Sequence, residues 1–232
     1  MQAWKECDYA RLEGYAADLM SVRMSESIVL RTYPLREADL IVSFLTRDLG
    51  KLRGVARRAR KPGNRFGSGL LRLSQVKMFY FHRENRELDT LDACEMIRSP
   101  FDLAGGYEAS VAMDYFAEAA DHLLPAAEPN ERFYRLLMAV SDHLMRTGAE
   151  GIWPAVTYFS LWAVRLSGFL PPMELSEADR EIAEEMLRTP VGQLSAREWT
   201  KQTAAGLRRK LIRLMEEQVE RKLVTAPHLE SI

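Results

Sequence analysis

The residues best suited to chemistry are cations. In Lys51-Leu-Arg-Gly-Val-Ala-Arg57, Lys51, Arg53 and Arg57 fall on odd positions with Val55. Alternate side chains of a strand share a face, so these point one way and Leu52, Gly54 and Ala56 the other. Arg58, Arg60, Lys61 and Arg65 follow on a glycine-rich stretch that reads as a flexible loop. Residues 47–77 hold ten basic residues and a single acid, Asp48. Solvated faces usually mix signs. A track of one sign suits a polyanion, whose phosphates release counterions as cations neutralise them. Non-specific single-strand binders also stack bases on aromatic rings. Tyr33 shares a strand face with Arg31, and Phe79 and Phe81 share one with Lys77. For these strand rings, packing in a core is the competing reading. Phe66, inside the basic loop, is either a stacking ring or a plug for the end of a barrel.

Other chemistry finds no residues to carry it. His82, His122, His143 and His228 make no ligand-spaced pair, and neither G-x-S-x-G nor H-E-x-x-H occurs. The stretch Gly63–Gly69 lacks the Gly-Lys-Ser/Thr of a phosphate loop. Asp89 and Asp92 have odd spacing, which places them on opposite strand faces as surface residues. Cys7 and Cys94 stand far apart, which excludes a disulfide framework and a four-cysteine zinc site. The expectation is a binding protein without catalysis and without a cofactor. In the second half, Arg165 is the only charge on an apolar helix. It either snorkels to solvent or forms the wall of a pocket for a partner's carboxylate. Arg208, Arg209 and Arg213 read as the outer face of an amphipathic helix, or as further lining of such a pocket.

The elements that must position these groups follow from the pattern. Ile28–Tyr33, Leu40–Thr46, Lys51–Arg57, Val76–Phe81 and Leu88–Ile97 read as five strands, the first ending at Pro34. Asp48-Leu-Gly50 is a tight turn, with Gly50 supplying positive φ. Five short strands with one long loop suggest a small closed barrel of OB-fold type, with an SH3-like barrel as the alternative. From residue 101 the period becomes helical. Phe133, Leu136, Leu137, Val140 and Leu144 form one face, and Trp153–Leu166 reads as a central buried helix. Ser176-x-x-Asp179 and Ser195-x-x-Glu198 read as capping boxes, the second opening a last helix from about Ala196 to about Leu223. The expected fold class is α+β, an N-terminal OB-fold β-barrel at 24–100 followed by an all-helical domain at 101–232. Residues 1–23 read as an N-terminal extension. They hold either a short amphipathic helix around Tyr9–Met20 or an upstream piece ahead of a start at Met24.

The chain has 232 residues, 47% apolar and 28% charged, with a net charge of −1. That near-neutrality hides a division. Residues 24–100 carry 15 basic against 9 acidic side chains, net +6, and residues 101–232 carry 14 against 20, net −6. No apolar run reaches the length of a membrane span, and residues 1–23 lack the apolar centre of a signal peptide. The low cysteine content suits a reducing cytosol.

Several segments together resemble a known family. Ile28-Val-Leu-Arg-Thr-Tyr33, Leu35-Arg-Glu-Ala-Asp-Leu-Ile-Val42, Thr46-Arg-x-x-Gly-Lys51 and Gly54-Val-Ala-Arg-Arg-Ala-Arg60 resemble, in order and spacing, the amino-terminal domain of the RecO family of bacterial DNA repair proteins. Leu91-Asp-Ala-Cys-Glu95 and Leu166-Ser-Gly-Phe-Leu-Pro171 extend the likeness across roughly residues 25–172. The resemblance implies a recombination mediator that binds single- and double-stranded DNA and anneals complementary strands. It implies partnership with RecR and with the acidic C-terminal tail of the single-strand DNA-binding protein, and indirect help to RecA. The basic positions that match the family's DNA face are Arg31, Arg36, Lys51, Arg53, Arg57, Arg58 and Arg60. Two departures stand out. The family's four-cysteine zinc site is missing after Pro171, and Thr157 and Tyr158 occupy positions where family members carry tail-docking arginines. Rival readings are an RNA-binding OB-fold protein, a module that docks acidic partner tails without DNA, and a small-molecule enzyme using the helical cleft.

Overall fold

The computed structural model describes residues 22–82, 87–99 and 106–232. Five strands lie between residues 23 and 98: β1 (Arg23–Leu35), β2 (Asp39–Thr46), β3 (Gly50–Ala56), β4 (Gln75–Phe81) and β5 (Asp89–Arg98). They close in the order β1-β2-β3-β5-β4. Every neighbouring pair is antiparallel except β3 and β5, which run parallel where Gly54–Ala56 meets Asp89–Leu91. This is the expected OB-type barrel.

β1 reaches further than its residues suggest. Arg23–Ile28 pairs with β4 and Ser27–Leu35 with β2, with a register shift at Leu30 that bends the strand between its two partners. It also passes through Pro34, opposite Leu40, next to the β1–β2 turn, where a missing ladder N–H costs little. The helix expected around residues 9–20 lies outside the described residues.

The alternation of β1 separates two cores. Val29 points inward with Val42, Phe44, Met78 and Tyr80 to fill the barrel. Ile28 and Leu30 point outward and pack, with Leu45 and Leu73, against the helices.

The helical part comprises α1 (Gly106–Leu123), α2 (Glu131–Thr147), α3 (Ile152–Leu166), α4 (Glu177–Arg188), α5 (Ala205–Gln218) and the single turn α6 (Ala226–Leu229). α3 is central, as its all-round apolarity demands. The ring of Phe159 lies 4.6 Å from Phe116, 5.8 Å from Tyr115 and 6.1 Å from Phe133. Ser176 caps α4 by accepting from the Asp179 N–H. The second expected cap is not formed. The Ser195 N–H donates instead to Glu185 Oε1 at 2.6 Å, and Arg197 pairs with the same carboxylate. Residues 194–200 therefore stay non-helical, and the last long helix starts at Ala205 rather than near Ala196 and stops at Gln218.

Barrel and helices meet closely at the β2–β3 turn. Gly50 has φ +80°, and a Cβ there would fall 2.0 Å from the Glu128 carbonyl oxygen. The next carbonyl, that of Lys51, accepts from the Ala127 N–H at 2.8 Å. The α1–α2 connection is thus seated on the hairpin that begins the basic strand. No helix among the described residues is long and apolar enough to cross a membrane.

Candidate nucleic-acid interface

The cationic face is built by cross-strand register. Arg31, Ser43 and Arg53 lie in one row across β1, β2 and β3, and Tyr33, Ile41 and Val55 form the next. Buried and open side chains alternate along β3, so Arg53 points to solvent and Leu52, Gly54 and Ala56 point inward. The guanidinium carbons of Arg31 and Arg53 lie over the Tyr33 ring, 5.1 and 5.4 Å from its centroid. Asp121, near the end of α1, holds this arrangement from beneath. Its carboxylate accepts from Tyr33 Oη at 3.0 Å and from Ser43 Oγ at 2.5 Å. Burial and then the Asp121 charge push the Tyr33 pKa up, so the phenol remains a donor at neutral pH.

Beyond β3 the basic loop folds back onto the β1–β2 turn. The Arg58 N–H donates to Asp39 Oδ1 at 2.8 Å and the Arg60 N–H to the Ala38 carbonyl at 3.0 Å. Lys61 closes a turn onto the Arg58 carbonyl. Arg36, at φ +61° in the β1–β2 turn, therefore joins Arg58, Arg60 and Lys61 at one end of the barrel. Farther on, Asn64 Oδ1 accepts from the N–H groups of Phe66 and Gly67 at 2.8 and 2.9 Å. The glycine-rich stretch is a chain of fastened turns, where flexibility was expected.

Four sequence assignments change. Phe66 is only 4% exposed and belongs to the barrel core; it is the plug, and no base can stack on it. Lys51 does not point along the face. Its ammonium donates to the Asp121 carbonyl, and burial lowers its pKa. Arg65 is exposed but paired with Asp92, which offsets its charge locally. Asp89 was expected at the surface and is instead 5% exposed, 3.0 Å from His82 Nδ1. What remains is six exposed cations, Arg36, Arg53, Arg57, Arg58, Arg60 and Lys61, none ion-paired among the described residues.

A second cationic feature lies between α2 and α3. A cleft of about 770 Å³ is lined by Arg132, Arg135 and Arg165 together with Tyr158, Trp162 and Leu166, and no Asp or Glu among the described residues lines it. Arg165 lies over the Trp162 ring, 5.0 Å from its centroid. Arg165 is thus a pocket wall. Arg132 and Arg135 escaped the sequence reading, although their i, i+3 spacing on α2 and the i, i+4, i+7 spacing of Tyr158, Trp162 and Arg165 on α3 mark the same cleft. The other basic candidates lie elsewhere. Arg208 is 5% exposed, stacked 4.6 Å from the centroid of Trp153. Its guanidinium donates to Thr157 Oγ1 at 3.1 Å and to the carbonyls of Lys201 and Thr203. Burial lowers its pKa to about 10. It braces the bundle and offers nothing to a partner. Arg209 and Arg213 are exposed outside the cleft, Arg213 paired with Glu217 at 2.9 Å.

The family model described as Recombination protein O N terminal matches residues 20–100, the span of the barrel. A protein of Koribacter versatilis described as DNA repair protein RecO is 38% identical over 245 residues, covering 91% of this chain and 99% of its own length. The chain belongs to the RecO family. RecO relatives from Symbiobacterium thermophilum and Bifidobacterium animalis subsp. lactis are 34% and 36% identical, over 66% and 63% of this chain and 60% and 64% of their own. Membership in the RecO family places the chain in DNA repair and recombination.

Proposed function

We propose that this chain is a non-enzymatic, cytosolic recombination mediator that captures DNA on the barrel face. The observation that carries this is the cluster of six exposed cations, none ion-paired among the described residues, on β3, the β1–β2 turn and the loop fastened to it. Such cations contact phosphates, so binding is independent of sequence and falls steeply with salt. Two strands held on one neutralising face lose their mutual repulsion, which favours annealing. Single strands, duplexes and annealing intermediates are all substrates on this reading.

The arginine cleft supports a second contact of the same mediator. Three guanidiniums over a Tyr158–Trp162–Leu166 floor suit a peptide that is acidic and ends in apolar residues. The acidic C-terminal tail of the single-strand DNA-binding protein is the proposed ligand, RecR a further partner, and RecA loading onto coated DNA the outcome. The test is a fluorescence-anisotropy titration of labelled oligonucleotides of unrelated sequence at several salt concentrations. Comparable binding to all of them, with a steep loss as salt rises, is expected. Absence of binding at low salt overturns the proposal.

A further inference from the structure

Five of the six free cations serve phosphates alone; the sixth, Arg53, also lies over Tyr33 and forms with Arg31 and Tyr33 a different kind of site. Tyr33 belongs to neither apolar core. Its ring is half-buried on the outer surface of the barrel, and its hydroxyl is tied to Asp121. The ring therefore has one orientation, and two guanidiniums lie over it at 5.1 and 5.4 Å. Guanidinium is planar and weakly hydrated, and stacks on aromatic faces. Ring and guanidiniums together present π-surface next to the phosphate track that continues through Arg57 and Arg58.

The local charge favours a base over a phosphate. The buried Asp121 carboxylate lies under Tyr33 and under Ser43, and Ser43 shares its row with Arg31 and Arg53. It offsets part of their charge, so a phosphate gains less here than at Arg57–Lys61. A neutral base loses nothing to that carboxylate and gains stacking on ring and guanidinium. We propose that Arg31, Tyr33 and Arg53 form a stacking subsite for an unpaired base of single-stranded DNA. This rests on the DNA-binding reading above and adds to it a means of sensing single strands, because a duplex keeps its bases inside.

The test compares three labelled ligands of equal length at one salt concentration: a single strand, the same strand with abasic sites throughout, and the duplex. The first two carry the same phosphates and differ in bases. The wild-type chain is expected to bind the base-bearing strand about fivefold or more tightly than the abasic one, the low end of what one stacked base contributes. In Tyr33→Leu that ratio falls toward one, and Tyr33→Phe, which keeps the ring, restores it. A second measurement needs no variant. Photocrosslinking of a bromodeoxyuridine-bearing strand to the wild-type chain should map to Tyr33 or its strand neighbours. Equal wild-type affinity for base-bearing and abasic strands overturns the subsite while leaving phosphate binding intact. So does a folded Tyr33→Leu with an unchanged ratio, or crosslinks found only elsewhere. Failure to bind any of the three ligands overturns the DNA-binding reading itself.

Discussion

Replacing Arg57, Arg58 and Arg60 together with alanine tests the proposed DNA face most directly. The three are exposed and unpaired among the described residues, and the backbone N–H groups of Arg58 and Arg60 fasten the loop, so their side chains can be truncated without unfolding the barrel. If each of the six free cations neutralises one phosphate, log K should fall against log salt with a slope of about −4 for a single strand. Removing three leaves a slope of about −2. Between about 50 and about 200 mM salt the parent then loses about 300-fold in affinity and the triple variant about 20-fold. Anisotropy titrations at four or five salt concentrations give both slopes. The same experiment separates the free cations from the engaged ones. Lys51→Gln and Arg65→Gln should each move the slope far less than Arg57→Ala, because Lys51 faces the Asp121 carbonyl and Arg65 is offset by Asp92. A triple variant with the parental slope refutes the reasoning, as does a Lys51→Gln slope change equal to that of Arg57→Ala.

Three further outcomes follow from the helical half. Arg208→Ala removes three donated bonds and the packing on Trp153, so urea unfolding should show a loss of about 2–4 kcal/mol; an equal midpoint would deny it the role of brace. Arg135→Glu and Trp162→Ala should each weaken an acidic peptide with an apolar C-terminus by about tenfold in calorimetry, and equal affinity would remove the peptide from the cleft. Burial holds His122 and His143 below the ordinary imidazole pKa, with Arg146 adding to the effect at His143. The unfolded chain then binds more protons than the folded one just below pH 6.5 or so, and stability falls as pH drops through that window. His143→Gln should flatten this pH dependence, measured as urea midpoints; an unchanged profile would assign it to other groups.

How much of this was legible in the sequence depends on how far each contact reaches along the chain. The alternation of β3 needs only neighbours, and Arg53 could be placed from it; Arg57, read as the strand's last residue, lies in the turn just past Ala56. Lys51 obeys the same alternation, yet its partner Asp121 lies 70 residues away on a helix whose docking no local pattern reveals. The burial of Phe66 depends on which turn closes the barrel end, and that is a property of the assembled strands. Arg208 had a signal that went unused. It shares a helical face with Leu211 and Met215, at i+3 and i+7, and all three are buried. The failed cap at Ser195 shows competition. The residue type favours a helix start, but the Glu185 carboxylate takes the Ser195 N–H that the Glu198 side chain would accept in a capping box.

Two cationic sites on one chain would compete for every polyanion unless something else told them apart, and here the surroundings do so. The barrel segment 24–100 is net +6, and Arg36, Arg57, Arg58, Arg60 and Lys61 are exposed cations, so the greater part of its affinity for a polyanion is expected to be electrostatic and to grow with the length of the polyanion. The segment 101–232 is net −6, which opposes the approach of a long polyanion to that half of the chain. A short acidic peptide meets less of that repulsion, and its apolar residues gain contact with Tyr158, Trp162 and Leu166 that a sugar-phosphate backbone cannot make. Because apolar contact is not screened, the peptide should survive salt that strips DNA from the barrel. If both proposed ligands bind, the opposed charges of the two halves would sort them onto two arginine-bearing sites, which a uniformly basic protein could not do.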